Sequence, residues 1–140
     1  MESNATLKCL ADHGVKPSLQ RIAVMEYLME HRTHPTVEEI YQALHPQIPT
    51  LSKTTVYNTL RLFTEKGAAL QLTIDDKKVC FDADTSAHAH FLCRNCGKVY
   101  DVRLRQTDLQ TEAEMPEGFA VEQSDLYFHG ICKCCLDKLS

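Results

Sequence analysis

Ser52-Lys-Thr-Thr-Val-Tyr-Asn-Thr-Leu-Arg-Leu-Phe-Thr-Glu-Lys-Gly67 reads as one helix that begins after Ser52 and stops near Gly67. Val56, Leu60 and Phe63 share an apolar stripe at helical spacing. Lys53, Thr54, Tyr57, Asn58 and Arg61 fall together on another face. Two strand-like runs follow, Ala69–Ile74 and Val79–Asp82, joined by the polar tip Asp75-Asp76-Lys77-Lys78. This pattern predicts a hairpin. Three helices are predicted upstream. One covers about residues 3 to 12. The next opens at Pro17-Ser18, with Ser18 as N-cap, and runs to about His31. The third starts at Thr36, whose partner Glu39 completes a capping box, and places Val37, Ile40, Tyr41 and Leu44 on one face. A helical bundle followed by a two-stranded hairpin is the outline of a winged helix-turn-helix.

The whole chain has 140 residues, with 44% hydrophobic and 24% charged. Those values suit a soluble globular protein of one ordinary domain or two small ones. No apolar run approaches the roughly 20 residues that span a bilayer. The polar Met1–Thr6 start does not resemble a signal peptide, so a cytoplasmic location is expected. The net charge of −4 excludes a strongly basic nucleic-acid coat protein. It leaves room for sequence-specific DNA binding by one small face.

Cysteine divides the chain where charge does not, because five of the seven cysteines lie after residue 90. The polar stretch Ala83-Asp-Thr-Ser-Ala87 is the boundary candidate. We therefore expect a winged-helix DNA-binding domain with hinge over 1–84 and a second, α+β domain over 85–140. In the second domain, His88–Cys93, Lys98–Leu104, Phe119–Gln123 and Leu126–Ile131 read as strands, and Asp108–Met115 as a short helix. A sheet this small needs a metal staple or a partner chain.

Two C-x-x-C pairs, Cys93-Arg-Asn-Cys96 and Cys132-Lys-Cys-Cys135, point to a structural zinc bound by four thiolates. Cys134 lies beside Cys135 and could replace it as the fourth ligand. A thioredoxin-like redox pair is disfavoured because no βαβ unit is visible. Cys9 and Cys80 read as buried small residues. A second metal site is legible in outline. His88 and His90 point to one face of a strand, and His34, Asp82 and Asp101 supply further imidazole and carboxylate donors. Such a set suits Fe(II), Mn(II) or Zn(II) with open positions, although histidines and aspartates at a solvated surface would give the same pattern. The row Lys53, Thr54, Tyr57, Asn58 and Arg61 offers phosphate contacts and base-edge hydrogen bonds in a major groove. Lys77 and Lys78 at the wing tip could touch the backbone. An ordinary solvated helix face is the plainer reading of that row.

Five segments together resemble the ferric uptake regulator (Fur) family of bacterial metalloregulators: Pro17-Ser-Leu-Gln-Arg21, His34-Pro-Thr36, Ser52–Leu60, His88–Lys98 and Gly130–Cys135. The resemblance spans nearly the whole chain. It implies a winged helix followed by an α/β dimerisation domain. It also implies a homodimer that binds palindromic A/T-rich operators when a regulatory metal is present. The chain is most similar to the peroxide-stress branch, whose regulatory site takes three histidines and two aspartates. The matching positions are His34, Asp82, His88, His90 and Asp101. The iron-sensing branch usually has His-His-Asp-His before the cysteine pair and Glu at the later acidic position. Here the run is Ala87-His-Ala-His90, followed by Asp101.

The expected function is therefore a metal-dependent, DNA-binding repressor, not an enzyme, with structural Zn(II) and regulatory Fe(II) or Mn(II). In that branch a ligating histidine is oxidised by peroxide, iron is lost and the protein leaves DNA. The alternatives are a Fur-type ferrous-iron-responsive repressor and a zinc-responsive one. A thiol switch at Cys93/Cys96 or Cys132/Cys135 competes as the sensing step. A zinc-dependent redox enzyme and a zinc-stabilised interaction module leave the helix face and the His/Asp set unexplained.

Overall fold

The computed structural model describes residues 4–86, 88–105 and 113–139. The chain forms two compact units that divide between Thr85 and Ser86. In the first unit, α1 (Asn4–Asp12), α2 (Leu19–Glu30), α3 (Val37–Leu44) and α4 (Lys53–Glu65) precede a hairpin of β1 (Leu70–Leu72) and β2 (Cys80–Asp82). Each of the last three helices has an N-cap hydroxyl. Ser18 accepts from the Arg21 N–H, and Ser52 accepts from the Thr55 N–H. Thr36 and Glu39 exchange both bonds of a capping box. Each cap satisfies a donor the helix itself cannot, worth about 1 kcal/mol.

Gly67 ends α4 at φ +76°. There the Gly67 N–H donates to the Thr64 carbonyl and the Ala68 N–H to the Phe63 carbonyl, at 3.2 and 2.8 Å. This closure needs a left-handed residue, which glycine supplies without a Cβ clash. The stripe expected on α4 is fully buried, with Val56, Leu60 and Phe63 at 0% exposure. It packs in one core with Leu10 of α1, Met25 of α2, Ile40 of α3 and Phe81 of β2. Each such side chain contributes about 1.5–3 kcal/mol. The strands are shorter than their sequence pattern. They pair antiparallel with Leu70 opposite Asp82 and Leu72 opposite Cys80. The hairpin thereby fixes Asp82 at the end of a paired, fully buried strand.

In the second unit, β3 (Ala89–Cys93) is the centre of a three-stranded sheet. β4 (Val99–Val102) runs antiparallel to it and β5 (Tyr127–Gly130) parallel. Two expectations differ from what is observed. Phe119–Gln123 is not a strand, and Phe119 is 70% exposed. Its alternating pattern finds no partner strand among the described residues, and without a ladder an extended segment gains nothing. Lys133–Leu139 forms a helix, α5, that the cysteine reading passed over. Asp108–Met115 lies mostly outside the described residues, and Ala113–Met115 are not helical. Among the described residues, no helix is long and apolar enough to cross a membrane.

Candidate metal centres and nucleic-acid face

The four paired cysteines come together in the second unit, with all four sulfurs within 4.8 Å of one another. Cys93 ends β3, and the turn to Cys96 is closed by a 2.8 Å bond from the Gly97 N–H to the Cys93 carbonyl. Gly97 takes φ +77°, which lets the chain double back behind the second thiol. Cys132 precedes α5 and Cys135 lies in its first turn, so i,i+3 spacing puts both thiols on one side. The Leu136 N–H donates to the Cys132 carbonyl and starts that helix. Cys134 is exposed and falls outside the cluster.

Sulfur separations test the fit to zinc. Cys93 Sγ lies 3.7 Å from Cys135 Sγ, and Cys96 Sγ 3.9 Å from Cys132 Sγ. A tetrahedron with Zn–S bonds of about 2.3 Å has edges of about 3.8 Å. All seven cysteines are free thiols. The set therefore fits one tetrahedral zinc ion.

The surroundings favour thiolates unevenly. N–H groups of Cys96 and Cys132 donate to Cys93 Sγ at 3.4 and 3.3 Å. These bonds hold the Cys93 thiol down to about 6. Cys132 is lowered by the Cys135 backbone and by the Tyr100 hydroxyl. The Asn95 side chain lowers Cys135, but its neighbouring thiols and burial outweigh that and push it up to about 11. Four thiolates cannot crowd together without a cation to balance them.

The His/Asp donors are local and ordered in each unit. In the first, His34 and Asp82 are 5% and 4% exposed, and His34 Nε2 lies 3.4 Å from Asp82 Oδ2. Asp82 Oδ1 accepts the Asp84 N–H at 2.9 Å, which orients the carboxylate and turns the other oxygen toward His34. His34 adopts φ +59°. The Phe81 N–H donates to the Pro35 carbonyl, tying the His34 loop to β2. In the second unit, Asp101 Oδ1 lies 3.3 Å from His88 Nε2 and 3.4 Å from His90 Nε2. His90 stands opposite Asp101 in the β3–β4 register, which places both on one sheet face. The His88 and His90 rings are 4.4 Å apart. His88 Nδ1 lies 2.7 Å from the Ser86 carbonyl oxygen. A carbonyl can only accept, so that nitrogen carries the proton and Nε2 offers its lone pair. Such outer hydrogen bonds fix the tautomer of a ligating imidazole.

On the first unit, Lys53, Thr54, Tyr57, Asn58 and Arg61 are all exposed, as are Lys77 and Lys78 at the hairpin tip. Lys53 Nζ is 2.7 Å from Glu38 and sits over the Tyr41 ring at 5.5 Å, while Arg61 is paired with Glu65 at 3.1 Å. Exposed pairs of this kind are worth about 0.2–1 kcal/mol, so a phosphate competes readily for either cation. One surface the sequence reading missed adjoins this row. Lys16, Ser18 and Arg21 at the start of α2 face Thr55, Asn58 and Arg61 across a groove of about 760 Å³. The stretch Pro17–Arg21 carried part of the family resemblance, but nothing in it pointed to a groove.

The ferric uptake regulator family model matches residues 12–129. The peroxide-responsive repressor PerR of Staphylococcus aureus strain USA300 is 38% identical over 138 residues, covering 98% of this chain and 93% of that protein. The structure of a Campylobacter jejuni peroxide stress regulator superposes with TM-score 0.68 at 27% identity, covering 92% of this chain and 98% of the other. The Helicobacter pylori ferric uptake regulator shares the fold, with TM-score 0.72 at 21% identity and coverage of 94% and 92%. The chain belongs to the ferric uptake regulator family.

Proposed function

We propose that this chain is a metal-dependent transcriptional repressor of the cytoplasm that binds palindromic A/T-rich operators as a homodimer and responds to peroxide. Residues 1–84 bind DNA, and residues 85–140 dimerise. Cys93, Cys96, Cys132 and Cys135 hold a structural zinc. His34, Asp82, His88, His90 and Asp101 hold the regulatory Fe(II) or Mn(II). The observation that carries this reading is the donor set: three imidazoles and two carboxylates, with each Nε2 held 3.3–3.4 Å from an aspartate oxygen. Its oxygen and nitrogen atoms suit a mid-series divalent ion, whereas the thiolate set suits zinc. The similarity to PerR of Staphylococcus aureus supports the peroxide response.

The chain's own residues perform three tasks. α4 presents Lys53, Thr54, Tyr57, Asn58 and Arg61 to a major groove, with Lys77 and Lys78 reaching the backbone. Asp82 and His88 are oriented by the Asp84 N–H and the Ser86 carbonyl, so little ordering entropy is lost on metal binding. His34 and Asp82 belong to the DNA-binding part, while His88, His90 and Asp101 belong to the other. An ion held by all five residues would tie the two parts together, and that would shift the population toward the DNA-competent dimer. Bound Fe(II) supplies redox reactivity toward peroxide, and Mn(II) supplies coordination without it.

Peptide-level mass spectrometry after mild peroxide treatment tests the reading on Fe(II)-loaded and Mn(II)-loaded protein. The expected result is oxygen added to the His34, His88 or His90 peptides with iron only and with zinc retained. Unmodified histidines with intact thiols would make the chain a plain iron or zinc sensor. Oxidised cysteines with lost zinc would make it a thiol switch.

A further inference from the structure

Both cations of α4 are paired with carboxylates. Lys53 Nζ lies 2.7 Å from Glu38 Oε2 and over the Tyr41 ring at 5.5 Å. Glu38 and Tyr41 both belong to α3, so the pair ties one helix to the other. The Gln42 amide donates to the second Glu38 oxygen at 3.0 Å, which fixes the carboxylate from its own helix as well. The Lys53 bond and then the Gln42 bond hold the Glu38 carboxyl below its usual range. Further along α4, Arg61 Nε donates to Glu65 Oε1 at 3.1 Å. Glu65 is the one acidic side chain lining the groove that also holds Lys16, Arg21 and Arg61. Two positive and two negative charges thus cancel beside exposed Thr54, Tyr57 and Asn58.

We propose that Glu38 and Glu65 mask the DNA-facing side of α4 by competing with phosphates for Lys53 and Arg61. A duplex phosphate carries one negative charge, as a carboxylate does, so binding exchanges one anion for another at each cation. All four side chains are more than half exposed, so the exchange disturbs no packed core. Exposed pairs are weak, which makes the mask a brake and not a lock. Phosphate contacts carry no sequence information, so the brake weighs on DNA of any sequence. The inference rests on the reading of α4 as the DNA-facing helix.

The test uses the Mn(II)-loaded full chain as wild type, Glu38→Gln, Glu65→Gln, Lys53→Gln and the double variant Glu38→Gln/Lys53→Gln. Fluorescence anisotropy with a labelled mixed-sequence duplex at low salt gives each affinity, and circular dichroism checks that each variant keeps its helices. Glu38→Gln is expected to bind about two- to fivefold tighter, the range that release of an exposed ion pair supplies. Glu65→Gln should tighten binding within the same range. The gain from Glu38→Gln should vanish in the Lys53→Gln background, because no cation is left there to release. A gain of equal size in that background overturns the proposal, since Glu38 would then repel DNA directly. Unchanged or weaker binding by Glu38→Gln overturns it too, and if that variant does not fold, the same result in Glu65→Gln overturns it instead. A wild-type chain that binds no duplex overturns both this inference and the assignment of α4 to DNA.

Discussion

Zinc removal should unfold the second unit and leave the first standing. Of the twenty-four buried hydrophobic residues described, eighteen precede residue 86. The other six are Ala89, Leu92, Cys93, Val99, Cys132 and Cys135, so half of the second unit's buried set are the thiols themselves. Burial of Leu92 and Val99 contributes about 3–6 kcal/mol together. A structural zinc contributes about 10–16 kcal/mol near neutral pH. Stripping the metal therefore removes more stabilisation than the unit's aliphatic core provides, and it leaves four thiols without the cation that would balance their ionised forms. The perturbation is a strong chelator under reducing conditions, with Cys93→Ser as the genetic equivalent. The assay is amide NMR of the full chain. Resonances of β3, β4 and β5 should collapse toward random-coil positions, while those of α1 to α4 stay dispersed. A reduced, zinc-free chain that keeps its dispersed second-unit resonances would refute the reasoning.

Three further outcomes are expected. His34→Ala should keep zinc content and fold but lose metal-dependent operator binding in a gel-shift titration. His34→Gly should lose it equally yet melt several degrees above His34→Ala, because a left-handed Ala costs about 1–2 kcal/mol. Arg61→Ala should weaken binding to every DNA sequence alike and lower the salt slope of binding by about one, read by titration at several salt concentrations. Gly130→Ala must push the Phe91 ring aside by a few tenths of an ångström. It should cost about 1 kcal/mol in thermal melts of the zinc-loaded chain.

Much of the first unit was legible because its signals are local. Thr36 and Glu39 are three residues apart, and the capping box they make is observed as read. The α4 stripe needs only the 3.6 period, and its three members are fully buried. The second unit depends on partners that a sequence does not display. Phe119–Gln123 alternates like a strand, but strand formation requires a neighbour to bond with, and β3 already has β4 and β5. Conversely, β3 and β5 pair in parallel across a separation of more than thirty residues, with His90 opposite Tyr127. α5 was hidden because Cys132 and Cys135 read as a metal knuckle. The same i,i+3 spacing also fits one turn of helix, and both readings describe one object.

The candidate sites divide along the same line. Each cysteine pair announces itself by its spacing, so the four-cysteine cluster could be read from the sequence. His34 could be named as a candidate donor but its backbone could not be foreseen, because local rules argue against its conformation. It precedes Pro35, and a residue before proline prefers an extended backbone, yet it sits at φ +59°. A strained backbone persists only where its surroundings over-determine it. Here the Phe81 N–H holds the Pro35 carbonyl at 3.0 Å, and Asp82, the next residue on β2, meets the imidazole. The hairpin that makes the wing is thus also the part that holds His34 in place. Two consecutive residues of β2 restrain the loop and orient the ring, so His34 and the hairpin are one piece of architecture. A ligand on a free loop could bind metal without moving anything. In its proposed role as a ligand, an imidazole braced against the wing would pass on to it what metal binding does.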